Sequence, residues 1–425
     1  LADKMLEEST QKLKLALNRL AEATLSGDKE AVKVAKQKQK AAEAYRRHAI
    51  NTRNKPKITA LLELAKYHMS VDSSILDADP FVLNTPAGIV DLGTGEIRPH
   101  DPEAYCTKIT AVSPDAGGAE MWRGFLSSIT CGNAEKENFL QQVAGMATVG
   151  KVFEESLVTA TGESGTGKST YHNTLAAVLG DYAGTIDPDV LTTTHKSNGA
   201  ELATLRGKRL VIAAETEEGQ RLSGSFLKRA TSTDKVHAER KYKDPEDFTP
   251  THTLILYTNH LPKVGSTDGG TWRRILVVPF DTRIKADRDI KNYSSLLVEK
   301  AGGAVLSWMI EGAVQFCANA HTLAKPSFIL NAVEQYRDAN DWLGDFLEEC
   351  CVIGKKFTVS SGRLYSAYRE YALASGEYAR NKQDFNTELR RRGLHDRKGS
   401  TGNVWYGIGV KIDGLRSVKT GTPWG

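Results

Sequence analysis

The eight residues Gly162-Glu163-Ser164-Gly165-Thr166-Gly167-Lys168-Ser169 carry the sharpest chemistry in the chain. Their pattern suits a loop whose glycines let consecutive backbone N–H groups wrap phosphate oxygens. The loop follows the apolar run Ser156-Leu157-Val158-Thr159-Ala160 and precedes a helical pattern over 169–179. The N-terminus of that helix adds the positive end of its dipole to an anion site. In this reading Lys168 contacts the β and γ phosphates of a nucleotide, Ser169 ligates Mg²⁺, and the binding segment runs on through Thr170. The cofactors expected are therefore ATP and Mg²⁺.

Two further apolar runs end in polar residues suited to the same chemistry. Lys208-Arg209-Leu210-Val211-Ile212-Ala213-Ala214 stops at Glu215, followed by Thr216-Glu217-Glu218-Gly219. A carboxylate at the carboxyl end of a strand beside the phosphate loop can support the Mg²⁺ shell and polarise the attacking water. Glu215 is the first choice for that role and for the metal, and Glu217 is the alternative base. Thr253-Leu254-Ile255-Leu256-Tyr257-Thr258 then delivers Asn259, an amide that can orient water, although an Asn after a strand is by itself commonly a turn residue. Downstream, Gly269-Gly270-Thr271-Trp272-Arg273-Arg274 opens the strand 275–280, where an arginine can reach a neighbouring copy's nucleotide or simply form a surface ion pair.

A hairpin is expected between the second and third of these strands, pairing 236–240 with 248–256 around Lys241-Tyr242-Lys243-Asp244-Pro245. Arg240, Lys241, Tyr242 and Lys243 give it a basic, aromatic tip, a sequence-tolerant grip for single-stranded nucleic acid.

These residues need a frame, and strands alternate with helices over 156–280, as in an α/β domain with a largely parallel sheet. Ahead of it, residues 3–50 are rich in Ala, Leu, Lys, Glu and Gln without Pro, which predicts two helices broken at Ser26-Gly27-Asp28. The lysines of 33–40 read as a solvated face. Short strands with turn residues follow over 77–102, residues 114–118 read as a linker, and helices are expected at 119–128 and 134–146. The tail offers helices around 332–349, 363–374 and 382–392 and a last hairpin through Val404-Trp405-Tyr406-Gly407-Ile408, the outline of a winged helix. Lys382, Arg390, Arg391, Arg392, Arg397 and Lys398 gather there, for DNA or for a protein contact. The domains are set at 1–117, 118–325 and 326–425.

The 425 residues are 40% hydrophobic and 25% charged, enough for several domains with cores of their own. A formal charge of +4 says less than the local basic clusters do. The five cysteines are scattered and lack zinc spacing, which argues for a reducing compartment. With no bilayer-length apolar run and no signal-peptide pattern, a cytoplasmic protein without a membrane partner is expected.

Taken in order, GESGTGKS, LVIAAETEEG, ERKYKDP, LILYTNHLP and GGTWRRILVVPF resemble the superfamily 3 helicases, specifically the phage and plasmid primase-helicase family. Upstream, DADPFVLNTPAGIVDLGTGEIRPHDPEAY is similar to the small domain that precedes that motor, so the resemblance covers about residues 60–415. It implies an AAA+-like α/β P-loop NTPase core with an N-terminal helical and α+β domain and a C-terminal winged helix. It further implies a hexameric ring with ATP between subunits, movement 3′ to 5′ on single-stranded and forked DNA, and a primase or polymerase as partner in a bacterial host cell. Within it, Lys168 and Ser169 belong to the Walker A loop, Glu215 to Walker B and Asn259 to the sensor. Arg274 fits the arginine finger, with Arg273 as alternative. Lys241 and Tyr242 match the DNA-contacting pair of the channel hairpin, where viral relatives have Lys-His. No acidic triad or zinc ligand set supports a primase, which is expected before residue 1 or on a separate protein. A nucleotide kinase, and an ATP-gated DNA-binding initiator without processive unwinding, are the competing functions.

Overall fold

In the computed structural model of the chain, residues 2–194, 199–239, 246–264, 269–284, 290–376, 378–399 and 402–411 are described. The chain forms two compact units, Leu1–Leu76 and Asp77–Gly425. The first is helical: α1 (Ala2–Ser26), α2 (Lys29–Thr52) and α3 (Lys55–His68). Gly27 breaks the first pair apart at φ 72°, and the Asp28 carboxylate caps α2 by accepting from the N–H groups of Glu30 and Ala31. An ion pair of 3.0 Å between Arg53 and Asp3 brings the far ends together, so α1 and α2 are antiparallel, packed over buried Ala16, Ala35 and Ala49. The lysines at 33, 36, 38 and 40 are exposed, as a solvated face requires.

The second unit begins with an antiparallel meander of β1 (Val82–Thr85), β2 (Gly88–Asp91) and β3 (Ile97–Arg98). Next come α4 (Ala119–Thr130), α5 (Ala134–Met146), β4 (Leu157–Thr161), α6 (Lys168–Leu179), β5 (Ala183–Ile186), α7 (Ala200–Thr204) and β6 (Leu210–Ala214). They continue as β7 (Arg221–Leu222), α8 (Gly224–Ala230), β8 (Val236–Ala238), β9 (Glu246–Phe248), β10 (Thr253–Thr258), β11 (Lys263–Val264), α9 (Gly269–Trp272), β12 (Ile275–Pro279) and α10 (Tyr293–Ala318). The tail contains α11 (Ser327–Ala339), α12 (Gly344–Cys350), β13 (Cys351–Ser360), α13 (Ser361–Ala374), α14 (Lys382–Arg391), β14 (His395–Gly399) and β15 (Gly402–Val410).

The centre is a five-stranded parallel sheet in the order β12-β4-β10-β6-β5. Its inner strands β4, β10 and β6 are almost wholly buried because both faces are covered, whereas β5 is a half-exposed edge. Val158, Ala160, Ile212, Ile255 and Val278 join α4, α5, α6 and α10 on one side. Leu157, Val211, Ala213, Leu256 and Val277 meet residues of α7, α8 and α11 on the other. The result is an α/β, NTPase-like core.

The meander is built into this unit. The buried Arg209 guanidinium donates to the carbonyls of Val82 and Thr148, 2.7 Å each, and lies over the Tyr182 ring. Residues 114–118, read as a linker, are packed: the Asp115 N–H donates to the Gly303 carbonyl at 3.2 Å. The two compact units divide at Leu76/Asp77. Beyond the core sheet, β13, β15 and β14 make a three-stranded antiparallel sheet against α12, α13 and α14 around Trp405, Phe385 and Tyr368.

Candidate active site

The loop between β4 and α6 is shaped by glycines that no other residue can replace. Gly162 has φ 154°, and a Cβ there would lie 2.1 Å from the carbonyl oxygen of Phe280. Gly167 ends the loop at φ 85°, where a Cβ would meet Ile129 Cγ2 at 2.5 Å. Both contacts are below any tolerable separation, so the tight turn into α6 depends on the missing side chains.

Lys168 is buried at the start of α6. Its ammonium donates to the carbonyls of Gly162 (2.6 Å) and Glu163 (2.7 Å), to Thr166 Oγ1 (3.2 Å) and to Asn259 Oδ1 (3.1 Å). All four partners are neutral. Burial pulls its pKa below the usual lysine value, and the charge of Glu215 works against that shift. Glu163, Ser164, Gly165 and Ser169 are exposed along the loop, and Thr170 is half-buried in the first turn of α6.

The carboxyl ends of β4, β6 and β10 converge, as parallel registry demands. Asn259 is the joint: its Oδ1 accepts from Lys168 while its Nδ2 donates to Glu215 Oε2 at 3.2 Å. Glu215 has a positive φ of 60°, uncommon for a carboxylate residue, and its N–H donates to the Tyr257 carbonyl at 2.9 Å. Behind them, the hydroxyls of Thr216 and Thr258 are 2.9 Å apart. The structure thus joins Lys168, Glu215 and Asn259 at one sheet edge. Glu217 lies in the exposed turn beyond, where its N–H donates to Gln220 Oε1 at 3.0 Å.

The two arginines lie at the other edge, because Arg274 directly precedes β12 and its carbonyl accepts the N–H of Leu157 at 2.6 Å. Arg274 is buried. It pairs with Glu155 Oε2 at 2.5 Å and donates to the Gly270 carbonyl at 2.9 Å. Arg273 reaches the same oxygen only at 3.4 Å, with its side chain 67% exposed. Arg240, Lys241, Tyr242 and Lys243 lie outside the described residues. The strands that lead to them are paired, β8 with β9, and the returning strand is 246–248 in place of the expected 248–256, since 253–258 is already committed to the core sheet.

One cation beside the loop escaped the sequence reading. The Ile284 N–H donates to the Gly165 carbonyl at 2.9 Å, and this places the exposed Arg283 side chain against Gly165, about as close as van der Waals contact with a Cβ there. Its only signal was a basic residue shortly after the last core strand. His172, buried on α6, donates from Nδ1 to the Lys168 carbonyl at 2.8 Å, and burial lowers its pKa to about 4.

Among the described residues no cluster of three or more His, Cys, Asp or Glu side chains is arranged to hold a metal. None of their helices is long and apolar enough to cross a membrane. The cysteines are unpaired.

With an α/β, NTPase-like core and a glycine-rich loop in place, comparison with known proteins narrows the kinship. Residues 1–131 match a family model described as D5 N terminal like, and residues 338–392 one described as poxvirus D5 protein-like. Between them, residues 160–274 match a family of unknown function, DUF5906. A protein of Acanthamoeba polyphaga mimivirus, provisionally named a helicase, is 28% identical over 322 residues, 70% of this chain and 33% of the relative. A protein of African swine fever virus, provisionally named a primase, is 32% identical over 114 residues, 26% of this chain and 12% of the relative. The chain therefore spans about a third or less of these relatives. Among solved structures, the apo form of the NrS-1 C terminal region is 13% identical with a TM-score of 0.41, covering 70% of this chain and 78% of that one. The D5-type models and the viral relatives together support kinship with D5-like primase-helicases.

Proposed function

We propose that this chain is the ATP-driven motor of a replicative DNA helicase, of superfamily 3 type, acting as a hexameric ring. The observation that carries the reading is the chain of contacts Lys168–Asn259–Glu215, which unites three strand ends at a glycine loop. The viral relatives bearing helicase and primase names agree with a replication role.

The residues present fit a nucleoside triphosphate with Mg²⁺. Lys168 has neutral partners only, so an anionic phosphate supplies the counter-charge it lacks. Bound there, ATP supplies the phosphoanhydride whose cleavage drives the motor. Ser169 and Glu215 are the residues to hold Mg²⁺, in company with the phosphates. Glu215 accepts a proton from water, and Asn259, fixed at both ends of its amide, orients that water. Arg283 is a second cation toward the phosphates.

A neighbouring copy must supply the arginine, since both candidates sit at the far edge of their own sheet. Exposure favours Arg273 as the finger, with Arg274 and Glu155 holding its segment in place. In this proposal the hairpin carrying Arg240 to Lys243 reaches DNA, and β13 to β15 with α13 and α14 form a winged helix. A primase or polymerase is the partner, on the remainder of a longer protein or on another chain.

Strand displacement on 3′-tailed and 5′-tailed duplexes, with and without ATP, tests the reading. ATP-dependent displacement of 3′-tailed substrate alone is expected. DNA binding and ATP hydrolysis with no displacement would instead favour an ATP-gated initiator.

A further inference from the structure

The tail concentrates cations in two places, and the structure treats them differently. On and after α14, the arginines are neutralised. Arg390 grips Asp396 with two hydrogen bonds of 2.9 and 3.0 Å, Arg391 pairs with Glu388 at 3.2 Å, and Arg392 pairs with Glu388 and Asp341. A helix so engaged has little charge left for phosphates.

The three-stranded sheet is the opposite case. Residues 351–363 and 394–411 contain Lys355, Lys356, Arg363, Arg397, Lys398 and Lys411 against one acid, Asp396. Asp396 is turned toward α14 and also accepts from Asn403 Nδ2 at 2.9 Å. Residues directly opposite one another share a sheet face. Thr358, Tyr406 and His395 form one row on the three strands, and Ser360, Val404 and Arg397 the next. The alternating positions Val359 and Trp405 are buried in the core of the tail, so these rows look outward. Tyr406 is 46% exposed, and the Arg397 guanidinium lies 5.8 Å from its ring centroid. Lys355, Lys356, Arg397 and Lys398 are exposed and form no ion pair with any described residue.

We propose that the outward face of β13, β15 and β14 binds single-stranded nucleic acid, with Arg397 and the exposed lysines of the adjoining bulge, Lys355 and Lys356, on phosphates and the Tyr406 ring stacked against a base. Charge complementarity selects a polyanion, and an exposed aromatic among cations selects a strand whose bases are free to stack. This goes beyond the motor reading, because the surface needs neither ATP nor the loop at 162–170.

The test is fluorescence anisotropy of a labelled oligothymidylate of about 20 nucleotides. It uses the full chain without nucleotide, in a Lys168→Ala background, titrated with salt between about 50 and 200 mM. Alanine at Lys355, Lys356 and Arg397 together is expected to weaken binding roughly tenfold or more and to flatten the salt slope by about 0.7 for each phosphate no longer neutralised. Tyr406→Ala should weaken it roughly fivefold while keeping the slope. Arg397→Lys should retain the slope, and Lys382→Ala on α14 should change nothing. Thermal melts followed by circular dichroism confirm that each variant is folded. Parental affinity and slope in the triple variant would overturn the proposal, all the more if that variant loses a polyglutamate peptide the parent binds, which would assign the face to a protein. Equal affinity for blunt duplex with no effect of Tyr406→Ala would overturn the single-strand assignment. Because no ATP is present, failure here and failure of strand displacement are separate results.

Discussion

Lys168 at the carboxyl end of the central sheet and Arg274 at its amino end are both buried cations, and the difference lies in the partners. At the carboxyl edge, Lys168 is surrounded by two carbonyls, a hydroxyl and an amide. At the amino edge, Arg274 is matched by the carboxylate of Glu155. A buried charge held by dipoles alone keeps an electrostatic deficit that an anion can fill; a paired one is complete. Arg209 shows the extra condition: it too has carbonyl partners, but it lies sealed between the meander and the core, where no ligand reaches it. Neutral partners mark a binding site only at an open edge.

The largest test of this contrast is Lys168→Ala, expected to cut ATP hydrolysis roughly 10³-fold, the upper end for one charge-stabilising donor. The melting temperature should hold or rise, because a poorly compensated buried charge is removed. Hydrolysis near the parental rate would dissolve the comparison. Next in size is a pH effect, since acid introduces a second uncompensated cation behind the same loop. His172 and His252 are buried with pKa values lowered to about 4, below the unfolded value of about 6.5, so the unfolded chain binds the extra protons. Stability is whole above about pH 6.5 and is lost as pH falls toward 4, by about 3 kcal/mol per histidine. Urea unfolding across that window should show the loss, and His172→Gln should remove roughly half of the pH dependence.

At the amino edge, Arg273→Ala should lower ATPase activity of the assembled protein by roughly 10²-fold while changing unfolding free energy by less than about 0.5 kcal/mol. Mixing this variant with Lys168→Ala should restore some hydrolysis if the arginine acts across subunits; no recovery would count against the ring interface. The smallest effect expected is a stability loss of about 2 kcal/mol for Arg274→Met. It falls below the usual range for a broken buried pair because Glu155 keeps some contact with water. A variant with parental stability but no ATPase activity would reverse the roles given to the two arginines.

The loop, Glu215 and Asn259 were legible in the sequence because each follows a short, mainly apolar strand, a strong local signal. The break between α1 and α2 at Ser26-Gly27-Asp28 was equally plain. The difference in exposure between Arg273 and Arg274 was not, since Arg274 is held by Glu155, 119 positions away. β5 was missed because Ala183-Gly184-Thr185-Ile186 is a half-exposed edge strand with a glycine inside it. β13 was missed because Gly354-Lys355-Lys356 breaks the alternation where the register shifts between Ile353 and Thr358. The destination of the tail's arginines was hidden for a similar reason: their acids lie on other elements, and spacing along one helix cannot reveal them.

The small ladder between β7 and β11 ties the turn after Glu215 to the loop after Asn259. Past it, the Val264 N–H donates to Asn340 Oδ1 at 2.8 Å, and the buried Tyr336 hydroxyl donates to the Pro262 carbonyl. The two side chains that meet at the loop are thus the near end of a strap whose far end is anchored in α11. The turn after Glu215 and the loop after Asn259 are thereby tied to the helix that leads into the tail.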